Sequence, residues 1–201
     1  MKNAFRLPAS LGRAGGDSVL VCPMTAGGIL MRDRSRLLAS FVLAALCGAA
    51  LLAPPASARE TVSFKDGSAG TIVIKTNERR LYYVLGGGQA VRYPVGVGRA
   101  GKQWAGTAFI DGMRLKPDWS PPADVKRDKP SLPSVIRGGT PGNPMGAAAL
   151  TLSGGQYAIH GTNAPGSVGG FVSYGCIRMY NADIMDLYQR VHFGTPVVVT
   201  H

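Results

Sequence analysis

Past residue 60, apolar residues come in short runs broken by glycine, proline and polar turns, and a helical repeat appears once, between Asn181 and Gly194. Runs of four to eight residues rich in β-branched and aromatic side chains suit strands and are too short for a core helix. Thr71-Ile72-Val73-Ile74 and Leu81-Tyr82-Tyr83-Val84-Leu85, separated by the polar turn Lys75 to Arg80, read as a hairpin. Gly86-Gly87-Gly88 is the next turn. Ala90 to Val97 is a further strand, where Pro94 predicts an edge or a bulge because proline cannot donate to a ladder. Gly106 to Ile110, Ala147 to Leu152, Gln156 to His160 and Thr195 to Thr200 complete the set. The helix takes Asn181 as its N-cap and places Asp183 and Asp186 where the helix dipole favours negative charge. Ile184, Leu187, Tyr188 and Val191 form its apolar face, and Gly194 stops it. The pattern predicts a mostly β domain with one short C-terminal helix.

The N-terminal third reads differently. Met31 opens a basic segment with Arg32, Arg34 and Arg36, followed by the apolar run Leu37 to Ala53 and the small-residue site Ala56-Ser57-Ala58. That is the order of a cleavable secretory signal, residues 31–58, with a retained membrane anchor as the alternative. Residues 1–30 carry no hydrophobic periodicity and are expected to be a non-structural extension, with translation beginning at Met31 or Met24. The remaining 143 residues, 59–201, form one domain large enough for a real core. They hold 16 basic and 9 acidic side chains, a formal charge of +7. The basic residues are scattered, with no basic run interleaved with aromatics, so an anionic envelope polymer fits better than nucleic acid.

Three motifs bear on chemistry. Gly96-Val97-Gly98-Arg99-Ala100-Gly101 has dinucleotide-site spacing, but a strand pattern follows where that site needs a helix, so the glycines read as a turn or bulge. His160, Cys176 and His192 lack the paired short spacings of a zinc site, and no metal or cofactor is expected. Asp111 to Met145, with seven prolines and Trp119, reads as a long loop acting as a lid.

Cys176 is the sharpest signal. Cys22 and Cys47 fall in or before the signal, so the mature chain keeps a single thiol. A lone cysteine in an oxidising compartment is a liability unless its reactivity is used. A histidine beside it, His160, would convert thiol to thiolate and hold a useful thiolate fraction near neutral pH. Gly175 leaves the backbone before Cys176 free for a turn that aims N–H groups at one spot, as an oxyanion hole requires. Gly161 allows close approach after His160. Pro165, Gly166, Gly169 and Gly170 let the intervening loop fold back.

The segment Ile159-His160-Gly161-Thr162-Asn163, then Ser173-Tyr174-Gly175-Cys176-Ile177-Arg178-Met179, then Asn181-Ala182-Asp183 and Gly194-Thr195-Pro196-Val197, resembles the L,D-transpeptidase (YkuD-type) catalytic domain. The resemblance extends upstream through Leu81-Tyr82-Tyr83, Tyr93 to Gly98, Pro117 to Pro122 and Asn143 to Gly146. It implies a mixed-strand β-sandwich with the active cysteine under a lid. Cys176 would be the nucleophile and His160 the general base. Ser173, Tyr174, Gly175 and Gly161 would shape the site, and Arg178 and Trp119 would meet substrate. Many members carry histidine where this chain has Tyr174. The implied reaction is acyl transfer from a peptidoglycan stem peptide to an amine, at the cell envelope or in the periplasm, with an envelope protein as one possible acceptor. The alternatives are an L,D-carboxypeptidase using water and a non-catalytic envelope-binding module.

Overall fold

The computed structural model describes residues 59–155 and 157–201; the expected extension and signal, residues 1–58, lie outside the described residues. Eleven strands dominate: β1 Glu60–Ser63, β2 Ile72–Lys75, β3 Arg80–Gly86, β4 Gln89–Pro94, β5 Val97–Gly98, β6 Gly106–Leu115, β7 Ala148–Leu152, β8 Ala158–His160, β9 Phe171–Ser173, β10 Ile177–Arg178 and β11 Pro196–Thr200. Among the described residues two α-helices accompany them, α1 Ala123–Asp128 and α2 Asn181–Arg190. Nine strands form one sheet in the order β1-β4-β3-β2-β11-β6-β7-β8-β10, and β5 pairs with β9 beside it. β11 with β2, β10 with β8 and β5 with β9 are parallel, and the other pairs are antiparallel. The expected mostly β, mixed-strand architecture is present.

β6 joins the two halves of the sheet. Its first residues pair with β11 and its last with β7. At Asp111 the register slips, Ile110 pairing with Leu152 and Gly112 with Thr151, and such a bulge bends a strand. The halves enclose one core: Ile72, Ile74, Leu81 and Tyr93 from one side meet Leu150, Leu152, Ile159 and Ile177 from the other. α2 closes it with Ile184 and Leu187, both fully buried. The 3.6-residue spacing of the sequence therefore becomes the packed face of α2.

Several expectations need correction. β6 runs to Leu115 instead of ending at Ile110, because Asp111 is absorbed as a bulge and its carboxylate accepts a hydrogen bond from Thr151 Oγ1 at 2.5 Å. The loop from Asp111 to Met145 thus begins late and contains α1. Pro94 is not at a bulge; it ends β4 opposite Arg80, past the last pair that β1 makes with β4, Glu60 with Arg92. α2 has Tyr180 at its N-cap and no side-chain cap, and it ends at Arg190, four residues before Gly194. The glycines at 96–101 carry β5 and a turn, followed by β6, with no helix at their end.

The buried Tyr93 hydroxyl donates to Asp186 Oδ2 at 2.5 Å, tying β4 to α2. Asp186 keeps two further bonds from Arg190. Tyr93→Phe should therefore cost about 1.5 kcal/mol, the lower end for a hydrogen bond to a charged acceptor. Urea unfolding checks this as a lowered midpoint at unchanged slope.

Candidate active site

β8 ends on His160, and β10 begins one residue after Cys176. Their parallel register sets Ile177 beside Ile159 and Arg178 beside His160. Successive strand side chains point to opposite faces. Ile159 and Ile177 enter the core, with no more than 1% exposure. His160 and Arg178 face the other way, and Cys176, two residues before Arg178, joins them. All three line one pocket of about 70 Å³, together with Trp119, Ser173 and Tyr174.

His160 is buried, and its Nδ1 lies 2.6 Å from the Gly161 carbonyl. A carbonyl only accepts, so Nδ1 carries the ring proton and Nε2 keeps its lone pair. Burial pulls the imidazole from 6.5 to about 4, aided by the Arg178 charge and opposed by the Gly161 and Pro144 carbonyls. Cys176 is a free, half-buried thiol. Burial pushes it up, while contact with the Ala158 backbone and the Arg178 charge pull the other way. The expected resting thiolate is therefore disfavoured: a low-polarity site penalises both ions, and a neutral thiol beside a neutral imidazole is the stable pair.

Arg178 is half-buried, and burial lowers its pKa. Its side chain reaches Ser167 Oγ at a long 3.4 Å, and Nε is buried without a partner among the described residues. Its backbone is fixed by two 2.8 Å hydrogen bonds exchanged with Gly96. A Cβ at residue 96 would come 2.8 Å from the Ser167 carbonyl, so the first glycine of the 96–101 motif serves this close approach.

The turn before Cys176 is clamped from both sides. Ser173 Oγ donates to the Cys176 carbonyl at 2.6 Å and accepts from the Gly175 amide at 3.0 Å. Gly175 has φ +120°, and a Cβ there would lie 2.2 Å from the Tyr157 ring. Trp104 stacks on Tyr157, with centroids 4.9 Å apart, and donates Nε1–H to the Gly175 carbonyl at 3.0 Å. The sequence reading missed Trp104 and Tyr157. Trp104 lies 71 residues from Gly175, and no local pattern links them.

The turn after His160 is braced by Asn181. Its Oδ1 accepts from the Ala147 and Thr162 amides, and its Nδ2 donates to the Thr162 carbonyl, each at 3.0 Å. That explains why Asn181 does not cap α2. A Cβ on Gly161 would sit 2.3 Å from Asn181 Oδ1, so glycine is required there.

The family model of the L,D-transpeptidase catalytic domain (YkuD) matches residues 69–199. The chain belongs to the L,D-transpeptidase catalytic domain family. Among curated relatives, the Probable L,D-transpeptidase YbiS of Escherichia coli strain K12 is 40% identical over 135 residues, covering 63% of this chain and 43% of that protein. The chain spans less than half the length of the curated relatives it first matches. An L,D-transpeptidase from Mycobacterium smegmatis superposes with a TM-score of 0.52 at 19% identity, over 65% of this chain and 58% of that one. The catalytic domain of an Enterococcus faecium L,D-transpeptidase gives 0.52 at 17% identity, over 68% and 100%. At these identities the likeness shows a shared fold. The YkuD match takes in every residue expected at the site, from Trp119 to Arg178.

The buried imidazole of this L,D-transpeptidase domain has a consequence for stability. Unfolded, His160 takes a proton near 6.5; folded, it resists until about 4. Between those values the unfolded state binds more protons, so stability falls as pH drops through the window. The His160 contribution to that loss is about 3 kcal/mol. His160→Gln removes it, so across the window the urea midpoint of the wild type should fall relative to that of the variant as pH drops.

Proposed function

We propose that this chain is an exported cysteine L,D-transpeptidase acting on peptidoglycan stem peptides through a Cys176 thioester. The single observation that carries the reading is the pocket in which Cys176, His160 and Arg178, whose buried Nε has no partner among the described residues, meet. His160 Nε2 takes the thiol proton as the sulfur attacks the donor carbonyl, so the thiolate forms with the new C–S bond. The C–N bond then breaks, and the leaving amine departs with the proton from His160. A second amine attacks the thioester, gives its proton to His160 and releases the thiol. Among the described residues the Cys176 amide makes no hydrogen bond, whereas that of Gly175 is already taken by Ser173. The oxyanion therefore falls to the Cys176 amide.

Arg178 is read as the binder of a donor carboxylate. A half-buried guanidinium with an orphaned Nε gains most from a bidentate anion. Trp119 lines the same pocket and packs against the donor. The donor is a stem tetrapeptide that loses its terminal D-alanine, and the acceptor is a neighbouring stem amine or an envelope protein. The signal pattern at residues 31–58 supports export to the periplasm or cell envelope, with cleavage after Ala58.

A carbapenem, whose ring opening leaves a slowly hydrolysed thioester, serves as a probe of the nucleophile. Intact-protein mass spectrometry should show one adduct, lost in Cys176→Ala. His160→Ala should slow its formation about 10²–10⁴-fold. An adduct that survives Cys176→Ala overturns the assignment. With a tetrapeptide donor and added amine, a transpeptidase yields the amide, and a carboxypeptidase yields tripeptide alone. Arg178→Lys should raise KM for the tetrapeptide about tenfold or more while protein stability stays within about 0.5 kcal/mol.

A further inference from the structure

The pocket over Cys176 is covered by α1, and the contacts that hold α1 are mainly polar. The helix has six residues, and Val125 is its one buried side chain. Its acidic residues point at the far rim of the site. Asp128 Oδ2 accepts from the Tyr174 hydroxyl at 2.6 Å and from Arg99 Nη2 at 2.9 Å. Asp124 Oδ2 pairs with Lys102. The Arg99 guanidinium also sits 4.1 Å from the centre of the Tyr174 ring. Arg99 and Lys102 belong to the connection between β5 and β6, and Tyr174 lies two residues before the nucleophile. One aspartate therefore joins the cover, the opposite rim and the Cys176 turn. The Tyr174 and Arg99 bonds hold the Asp128 carboxyl below its usual range, so it stays charged at neutral pH.

The space beneath α1 is too small for the proposed donor. It amounts to about 70 Å³, whereas sites that enclose drug-sized ligands run to about 300–1,000 Å³. A peptide enters only when the cover lifts. We propose that Asp128, through Tyr174 and Arg99, latches α1 over Cys176 and is a positioning residue that sets how readily a donor reaches the thiol. The need for a peptide-sized opening rests on the transpeptidase reading; the latch itself does not. Exposed ion pairs are individually weak and screened by salt, while a hydrogen bond to a carboxylate adds to them. A latch of this composition biases the cover toward closure by about tenfold and still releases on the timescale of loop motion.

The test uses the full chain and the small neutral reagent iodoacetamide, with modification read on the Cys176 peptide by mass spectrometry. At low salt, Asp128→Ala should raise the alkylation rate about 3- to 10-fold, and Tyr174→Phe should raise it less. Wild type should climb toward the Asp128→Ala rate at about 0.5 M salt, where the Debye length shrinks to a few ångströms. Asp128→Glu should restore slow alkylation. Hydrogen exchange of the Lys126 and Lys129 amides should quicken in Asp128→Ala, which separates opening of α1 from a change in thiol reactivity. Arg92→Ala, which removes a remote exposed pair with Glu60, should change neither readout. Unchanged alkylation and exchange in Asp128→Ala, or Asp128→Glu behaving like alanine, overturns the latch. If the latch results hold but no tetrapeptide acyl-enzyme forms, the latch stands and the transpeptidase reading falls.

Discussion

Two residue pairs in parallel register, Ile159 with Ile177 and His160 with Arg178, hold the site together. The isoleucines enter the core, and each therefore forces its neighbour to the opposite face. A slip of one residue would send His160 or Arg178 into the core and an isoleucine into the pocket. Burial of the isoleucines thus selects the register that brings thiol, imidazole and guanidinium together. So short a ladder has little stability of its own. Gly96 completes its outer side, Asn181 braces the turn after His160, and Trp104 with Tyr157 clamps the turn before Cys176. These supports come from distant parts of the chain and converge on four residues.

The same burial sets the electrostatics. His160 is too enclosed to be charged at neutral pH, and Cys176 is too enclosed to ionise easily. A standing ion pair would need polar partners that the pocket does not offer. Among the described residues that line the pocket, the one charge is that of Arg178, half-buried and with its Nε short of an acceptor. A negatively charged ligand would satisfy Arg178 and, once bound, raise the basicity of His160. Anion binding and the basicity of His160 are then coupled through one guanidinium, and a neutral thiol is better protected from oxidation.

The main apolar strand runs and the amphipathic α2 were legible in the sequence because each carries a local pattern, whereas Ser173, Tyr174, Arg178 and Trp119 were expected in the pocket from the family resemblance. Ile184, Leu187 and Val191 announce a helix face, and Gly175 next to Cys176 announces an unusual turn. What escaped was non-local or disguised. Asp111-Gly112 looks like the end of a strand, yet β6 continues through it as a bulge. α1 lies among prolines and buries one side chain, too little for periodicity to register. β10 has two residues, and its existence depends wholly on β8 and Gly96. Asn181 carries the residue type of a helix cap and spends its side chain on two turns instead. Tyr174 stands where the family resemblance implies histidine, and its hydroxyl donates to Asp128, 46 residues away, a contact that no local pattern signals.

The central claim is that His160 rests as a neutral base, with its proton on Nδ1 and its Nε2 lone pair free. Nitrogen NMR of ring-labelled histidine, assigned by comparison with His160→Gln, measures this directly. Near neutral pH the account predicts a protonated Nδ1 and an unprotonated Nε2, with the ring charging only as pH falls toward about 4. An imidazolium at neutral pH, or the proton on Nε2, would contradict it.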